Sequence, residues 1–228
     1  FKEGNWQLYF FILGLVLFVL FLLSLFIRDQ NKSVRHTEVN LKIEKKILLP
    51  LSLLFSFYIC SEVILSSRLS FFLMNSYGHD FEMAGKHVSV FFLLLLSGRL
   101  IYAFLPVKLK AINLLKTSAV LSIITSVLGV LYSPTILVVT GLMNSLFFPC
   151  LMEYIGEFYK GAQLDLLLSK VMCWVGGALV VVHFGFGQVT AVLGVNYSIW
   201  IVPLLLTGVL YILQVKLPIL AKRRSHAT

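Results

Sequence analysis

Four side chains that can bind protons or polar groups lie inside long apolar stretches of the sequence: Glu62, Arg68, Asn144 and His183. Ionisable and amide groups are costly in such surroundings, so each is a functional candidate where it occurs. Glu62 is the strongest candidate, because it lies near the centre of a 26-residue apolar run. Removing a carboxyl group from water disfavours its charged form, which predicts that Glu62 can exchange a proton near neutral pH.

Each candidate also has a purely structural interpretation. Glu62 could be a hydrogen-bonded carboxyl that joins two helices. Arg68 lies six residues further on, about 120° around a helix, so the two need separate partners, and its long side chain could extend to lipid headgroups. His183 could be a neutral packing residue, and Asn144 could link neighbouring helices through its amide.

The composition predicts which elements position these residues. Hydrophobic residues make up 59% of the 228 residues and charged residues only 13%, about half the usual share for a soluble domain. Such a chain is expected in lipid, where each apolar run of about 20 residues forms a helix. The sequence therefore predicts an all-α membrane protein with seven transmembrane helices. The predicted spans are Trp6–Ile27, Leu48–Leu73, His87–Leu105, Ala111–Leu131, Thr135–Tyr154, Leu166–Val189 and Tyr197–Val215.

Basic residues in the connecting segments predict the orientation of these spans. With residues 28–46 placed inside, fifteen lysines and arginines fall on the inner side, and only Lys2 and Lys86 fall on the outer side. The net charge of +9 is thus explained by membrane topology, and no nucleic-acid partner is needed to account for it. We expect a multi-pass protein of the cell or inner membrane, with its linker and C-terminus in the cytoplasm.

The spacing of the spans predicts four segments. Residues 1–27 form one helix, residues 28–47 form a charged cytoplasmic linker, residues 48–215 form a six-helix bundle, and residues 216–228 form a basic cytoplasmic tail. The sequence begins at Phe1, so we expect a piece of a longer protein. Small residues in the sixth span, including Gly176 and Gly177, predict the close approach of another helix.

The orientation also brings three charged residues to one depth. Arg99 lies at the inner end of the third span, and Glu153 and Glu157 lie at the inner end of the fifth. The two glutamates are four residues apart and share one helix face. We therefore expect Arg99 to pair with one of them, although separate solvation at the headgroups would also satisfy all three.

Four short motifs lie in or beside the predicted spans. They are Tyr58-Ile59-Cys60-Ser61-Glu62, Ser97-Gly98-Arg99-Leu100 followed by Lys108 and Lys110, Phe147-Phe148-Pro149, and Val175-Gly176-Gly177-Ala178. With the position of the charged linker, the second motif resembles the major facilitator superfamily from its sixth to its twelfth helix. The other three are similar to the fucose–galactose–glucose proton symporter branch of that superfamily.

The resemblance implies one half of a transporter in which two six-helix bundles rock around a central site. Its implied partners are the lipid bilayer, a missing N-terminal six-helix bundle, a small polar solute such as a sugar, and a proton. Arg99, Glu153 and Glu157 would then form a cytoplasmic gate, and no cofactor or metal is expected. No standard catalytic constellation occurs in the sequence, so we predict that the protein is not an enzyme. The alternative function is a non-transporting membrane scaffold or receptor.

Overall fold

The computed structural model describes residues 11–23 except 13, 17 and 21, residue 43, residues 45–104 and residues 109–216. The chain divides into two compact units, Phe1–Leu41 and Lys42–Thr228. The described part of the first unit is helical. The second unit contains eight α-helices among its described residues. They are α1 (Lys45–Tyr77), α2 (Phe81–Phe104), α3 (Ala111–Leu131), α4 (Pro134–Ser145), α5 (Phe147–Phe158), α6 (Ala162–Leu193), α7 (Val195–Ser198) and α8 (Ile201–Tyr211).

Six stretches of the second unit are long and apolar enough to cross a membrane. They match the last six predicted spans, and α3 has the predicted bounds. The largest difference is in α6, which begins four residues earlier and ends four residues later than predicted. The first predicted span, Trp6–Ile27, lies largely outside the described residues. The prediction of an all-α membrane protein is confirmed.

Two of these spans are interrupted. Helices α4 and α5 form one span, Pro134–Phe158, with a break at Leu146. Pro149 lies three residues later. In a continuous helix its ring would clash with the carbonyl of Ser145, and its nitrogen has no proton to donate. The last span, Val195–Lys216, contains α7, α8 and a π-helical turn, Ile212–Lys216.

Helix α1 is the centre of the second unit, and it packs against α2, α6 and α8. Around it, α2 packs along α4, and α3 packs against α4, α5 and α8. These contacts bury half of the most apolar window of α1.

The core consists of two apolar clusters separated by a polar layer. On α1, the first cluster ends at Tyr58 and the second begins at Ile64, so Glu62 lies between them. On the α4–α5 span, Asn144 and Ser145 lie between buried Val138 and buried Phe147. The fold therefore gathers polar side chains at the middle of the bundle, between two apolar ends.

Candidate functional site

The centre of the polar layer is an ion pair between α1 and α2. Nη2 of Arg99 lies 3.1 Å from Oε1 and 3.3 Å from Oε2 of Glu62. The Glu62 side chain is 18% exposed and the Arg99 side chain is 39% exposed. The pair therefore lies at the edge of the bundle interior, where it can neutralise both charges and still be reached from outside the core.

Tyr58 completes this group. It lies four residues before Glu62 on the same face of α1, and its hydroxyl donates a hydrogen bond to Oε2 of Glu62. Its ring stacks on Phe147 of α5, with ring centroids 4.7 Å apart. Nη2 of Arg99 also lies 3.4 Å from the Tyr58 hydroxyl oxygen. Because the ring is wedged between helices, it fixes the position of the Glu62 carboxylate.

The predicted pairing of Arg99 with Glu153 or Glu157 is wrong. Arg99 pairs with Glu62, and Glu153 accepts a hydrogen bond from the hydroxyl of Tyr102. Glu157 is exposed and makes no ion pair within the described part of the chain.

The helical phase of α2 explains this difference. Gly98 faces α4, since a Cβ atom there would lie 2.0 Å from Oγ of Ser145. Tyr102 is four residues later, on the same face, and therefore meets Glu153 on the continuing α4–α5 span. Arg99 is rotated by about 100° from Gly98, which directs it to α1.

Asn144 also lies in the polar layer, and its side-chain amide has no hydrogen-bond partner among the described residues. Its side chain is fully buried, and no described residue hydrogen-bonds Nδ2 or Oδ1. Its backbone carbonyl lies 3.4 Å from the Tyr58 hydroxyl, so it belongs to the Glu62 neighbourhood. An unsatisfied buried polar group costs about 1–3 kcal/mol. The amide does not serve as an interhelical link between described residues.

Arg68 and His183 lie apart from this group. The guanidinium carbon of Arg68 lies 5.6 Å from the ring centroid of Phe186 on α6, a cation–π distance. His183 is half-buried one turn earlier on α6 and makes no hydrogen bond to a described residue. The structure therefore brings together Glu62, Asn144 and Arg99. It places Arg68 away from them, against α6.

Two tyrosines, Tyr58 and Tyr102, donate hydrogen bonds to Glu62 and Glu153 and were not predicted as site residues from the sequence. The i,i+4 spacing of Tyr58 and Glu62 on one helix was a usable signal for the first. No sequence signal identifies Tyr102, because its partner lies 51 positions away on another span. No group of three or more metal-binding side chains occurs among the described residues.

Comparison with known proteins identifies one family. The family model described as Major Facilitator Superfamily matches residues 1–169, which is more than half of the chain. No curated protein matches the chain.

Proposed function

Since this chain belongs to the major facilitator superfamily, we propose that the intact protein is a proton-coupled symporter of a small polar solute. Family membership supports secondary transport in general. The observation that carries the finer proposal is the Glu62–Arg99 ion pair in the polar layer of the bundle. A carboxylate that neutralises a neighbouring guanidinium can link the binding of a proton to the binding of a solute.

The coupling follows from the charges of the pair. A proton that binds Glu62 removes the negative charge that holds Arg99 and the Tyr58 hydroxyl. Both groups then have hydrogen-bond donors available for the acceptor oxygens of a solute. The Asn144 amide offers a donor and an acceptor in the same neighbourhood. This set suits a neutral, oxygen-rich molecule, and sugars are the first class to test.

The other half of the transport pathway would come from an N-terminal six-helix bundle. In this proposal, residues 1–27 are the last helix of that bundle, residues 28–47 are the cytoplasmic linker, and residues 48–215 are the C-terminal bundle. The outward face of α6 supports the proposal, because no described residue comes within 4 Å of a Cβ atom built on Gly176 or Gly177. Small residues suit the close approach of a helix from the other bundle.

The test is uptake by the full-length protein in sealed vesicles, with a panel of sugars and other polar solutes. An inward proton gradient should drive accumulation of the transported solute. Glu62→Gln should abolish that accumulation and leave solute counterflow at least partly intact, because exchange needs no net proton movement. The control is Glu157→Gln, which removes an exposed carboxylate outside the site.

Two outcomes would contradict the proposal at different levels. Unchanged proton-driven uptake in Glu62→Gln would remove the role of Glu62 and leave the transporter assignment in place. If no solute of the panel is taken up or exchanged, the alternative of a scaffold or receptor is favoured.

A further inference from the structure

An open groove lies between α1 and the last span, away from the Glu62 site. Its volume is 440 Å³, and its walls are largely apolar. Leu49, Leu53 and Phe57 of α1 face Tyr211 and Ile212 of the last span across it. Leu49 is 51% exposed and Tyr211 is 55% exposed, so the groove is accessible from the side of the bundle.

Three lysines line the same groove. Lys45 and Lys46 begin α1, and Lys216 ends the last span, so all three lie at one membrane end of the unit. All three are exposed, and none of them forms an ion pair with another described residue. The groove thus combines an apolar surface along the spans with concentrated positive charge at its mouth.

Both walls depart from regular helix beside these lysines. Pro50 lies in the second turn of α1, where it cannot donate to the carbonyl of Lys46. On the opposite wall, residues Ile212–Lys216 form a π-helical turn. Such turns often occur at functional sites. Gly208 allows the walls to meet at the base of the groove, since a Cβ atom there would lie 2.7 Å from the Phe57 ring.

We propose that this groove binds an acidic phospholipid. The acyl chain lies along Leu49, Leu53 and Phe57, and the phosphate lies beside the three lysines. A membrane-spanning bundle is surrounded by lipid, and basic pockets between its helices are typical sites for acidic headgroups. The charge complementarity at the mouth selects an anionic lipid over a zwitterionic one, and the apolar walls select a lipid over a free phosphate.

The test is lipid binding by the purified full-length protein in neutral detergent, measured by native mass spectrometry. Phosphatidylglycerol and phosphatidylcholine with identical acyl chains are the two probes. The unmodified protein should prefer phosphatidylglycerol. The variant Lys45→Ala/Lys46→Ala/Lys216→Ala should lose most of that preference, up to about a hundredfold, since each of the three lysines near an acidic surface contributes roughly fivefold.

A matched variant removes the same charge elsewhere. Lys110, Lys160 and Lys170 are exposed at the same membrane end, and none of them lines the groove. Their triple replacement by alanine should keep the preference for phosphatidylglycerol. A second variant, Leu53→Trp, fills the groove and keeps the lysines, and it should weaken the binding of both lipids.

Three results would overturn the proposal. The first is an equal loss of preference in both triple variants, which would indicate only a general surface charge. The second is displacement of phosphatidylglycerol by millimolar glycerol phosphate, which would indicate a phosphate site without an acyl-chain groove. The third is the absence of any preference in the unmodified protein, which would leave the groove to another occupant such as a neighbouring helix.

Discussion

Helices α1 and α6 are almost the same in sequence character and opposite in their surroundings. They contain 33 and 32 residues, and their most apolar windows have mean hydropathies of 2.0 and 1.8. Half of that window is buried in α1, but only 17% is buried in α6. Glu62, which pairs with Arg99 of α2, belongs to the buried helix. On α6, Val180 and Phe184 are each at least 70% exposed.

The surroundings of the glycines in helices that pack on α1 and α4, and of those in α6, show the same contrast. Gly98 of α2 and Gly208 of α8 lie in tight contacts around α1 and α4, where a Cβ atom would overlap a neighbour. At Gly176 and Gly177 of α6, no described residue comes within 4 Å of an added Cβ. The close helix approach predicted for this face is therefore not made within the described bundle. Hydropathy identifies a span, and it does not distinguish a span that completes its contacts inside the bundle from one that leaves a face open.

The largest expected effect on stability is at Gly98, where α2 and α4 are in close contact. Gly98→Ala places a methyl group 2.0 Å from Oγ and 2.7 Å from Cβ of Ser145, so α2 and α4 must separate. We expect a loss of about 2–3 kcal/mol in the free energy of unfolding, measured by SDS titration in mixed micelles. Adding Ser145→Gly should recover part of this loss. A lack of recovery would show that the two helices are not in contact at this point.

A smaller effect is expected when the ion pair is broken. Arg99→Gln leaves the Glu62 carboxylate without its partner, which destabilises a fully buried pair by roughly 3–5 kcal/mol. Because Arg99 is 39% exposed, solvent screens the charges, and we expect a loss of about 2 kcal/mol, below that range. The double variant Glu62→Gln/Arg99→Gln should be more stable than Arg99→Gln alone in the same titration. If the double variant were less stable, the unpaired carboxylate would not be the cause of the loss.

Removal of one hydroxyl should cost less. Tyr58→Phe keeps the stack on Phe147 and removes the hydrogen bond to Glu62. Hydrogen bonds to charged groups contribute about 1.5–3 kcal/mol, and we expect the lower end because Glu62 keeps Arg99. The control is Tyr77→Phe, because the Tyr77 hydroxyl has no charged partner. This variant removes only long hydrogen bonds to backbone carbonyls of α3. An equal or larger loss in Tyr77→Phe would contradict a special role of the Tyr58 hydroxyl.

The smallest effect on stability is expected on the open face of α6. Gly177→Ala should change the free energy of unfolding by no more than about 0.5 kcal/mol, as at other uncrowded surface sites. Gly177→Trp should leave the protein folded but reduce vesicle uptake, because the proposed N-terminal bundle would contact this face. Destabilisation by Gly177→Ala as large as that of Gly98→Ala would show that the face is already occupied within this unit.

Much of the fold could be predicted from the sequence because it depends on local hydropathy. The sequence predicts α3 with its observed bounds, because the apolar run Ala111–Leu131 is the helix. Glu62 was identified as the main ionisable residue, since a single carboxylate inside an apolar run is visible without any structure. The pairing of Arg99 with Glu62 could not be predicted, since depth in the membrane places Arg99 beside Glu153 and Glu157, and only the helical phase of α2 turns it to α1.

The sequence by itself determined that this protein spans a membrane, where its helices lie, and which charged residue lies at mid-span. These properties follow from the cost of exposing polar backbone and charge to lipid, which each segment meets alone. Only the tertiary structure decided which helices touch. Gly98 turns one face of α2 to α4, so Tyr102 meets Glu153 and Arg99 meets Glu62. The physical reason is that a rotation of 100° between consecutive residues redirects a side chain to a different neighbour, and only the packed bundle fixes that rotation.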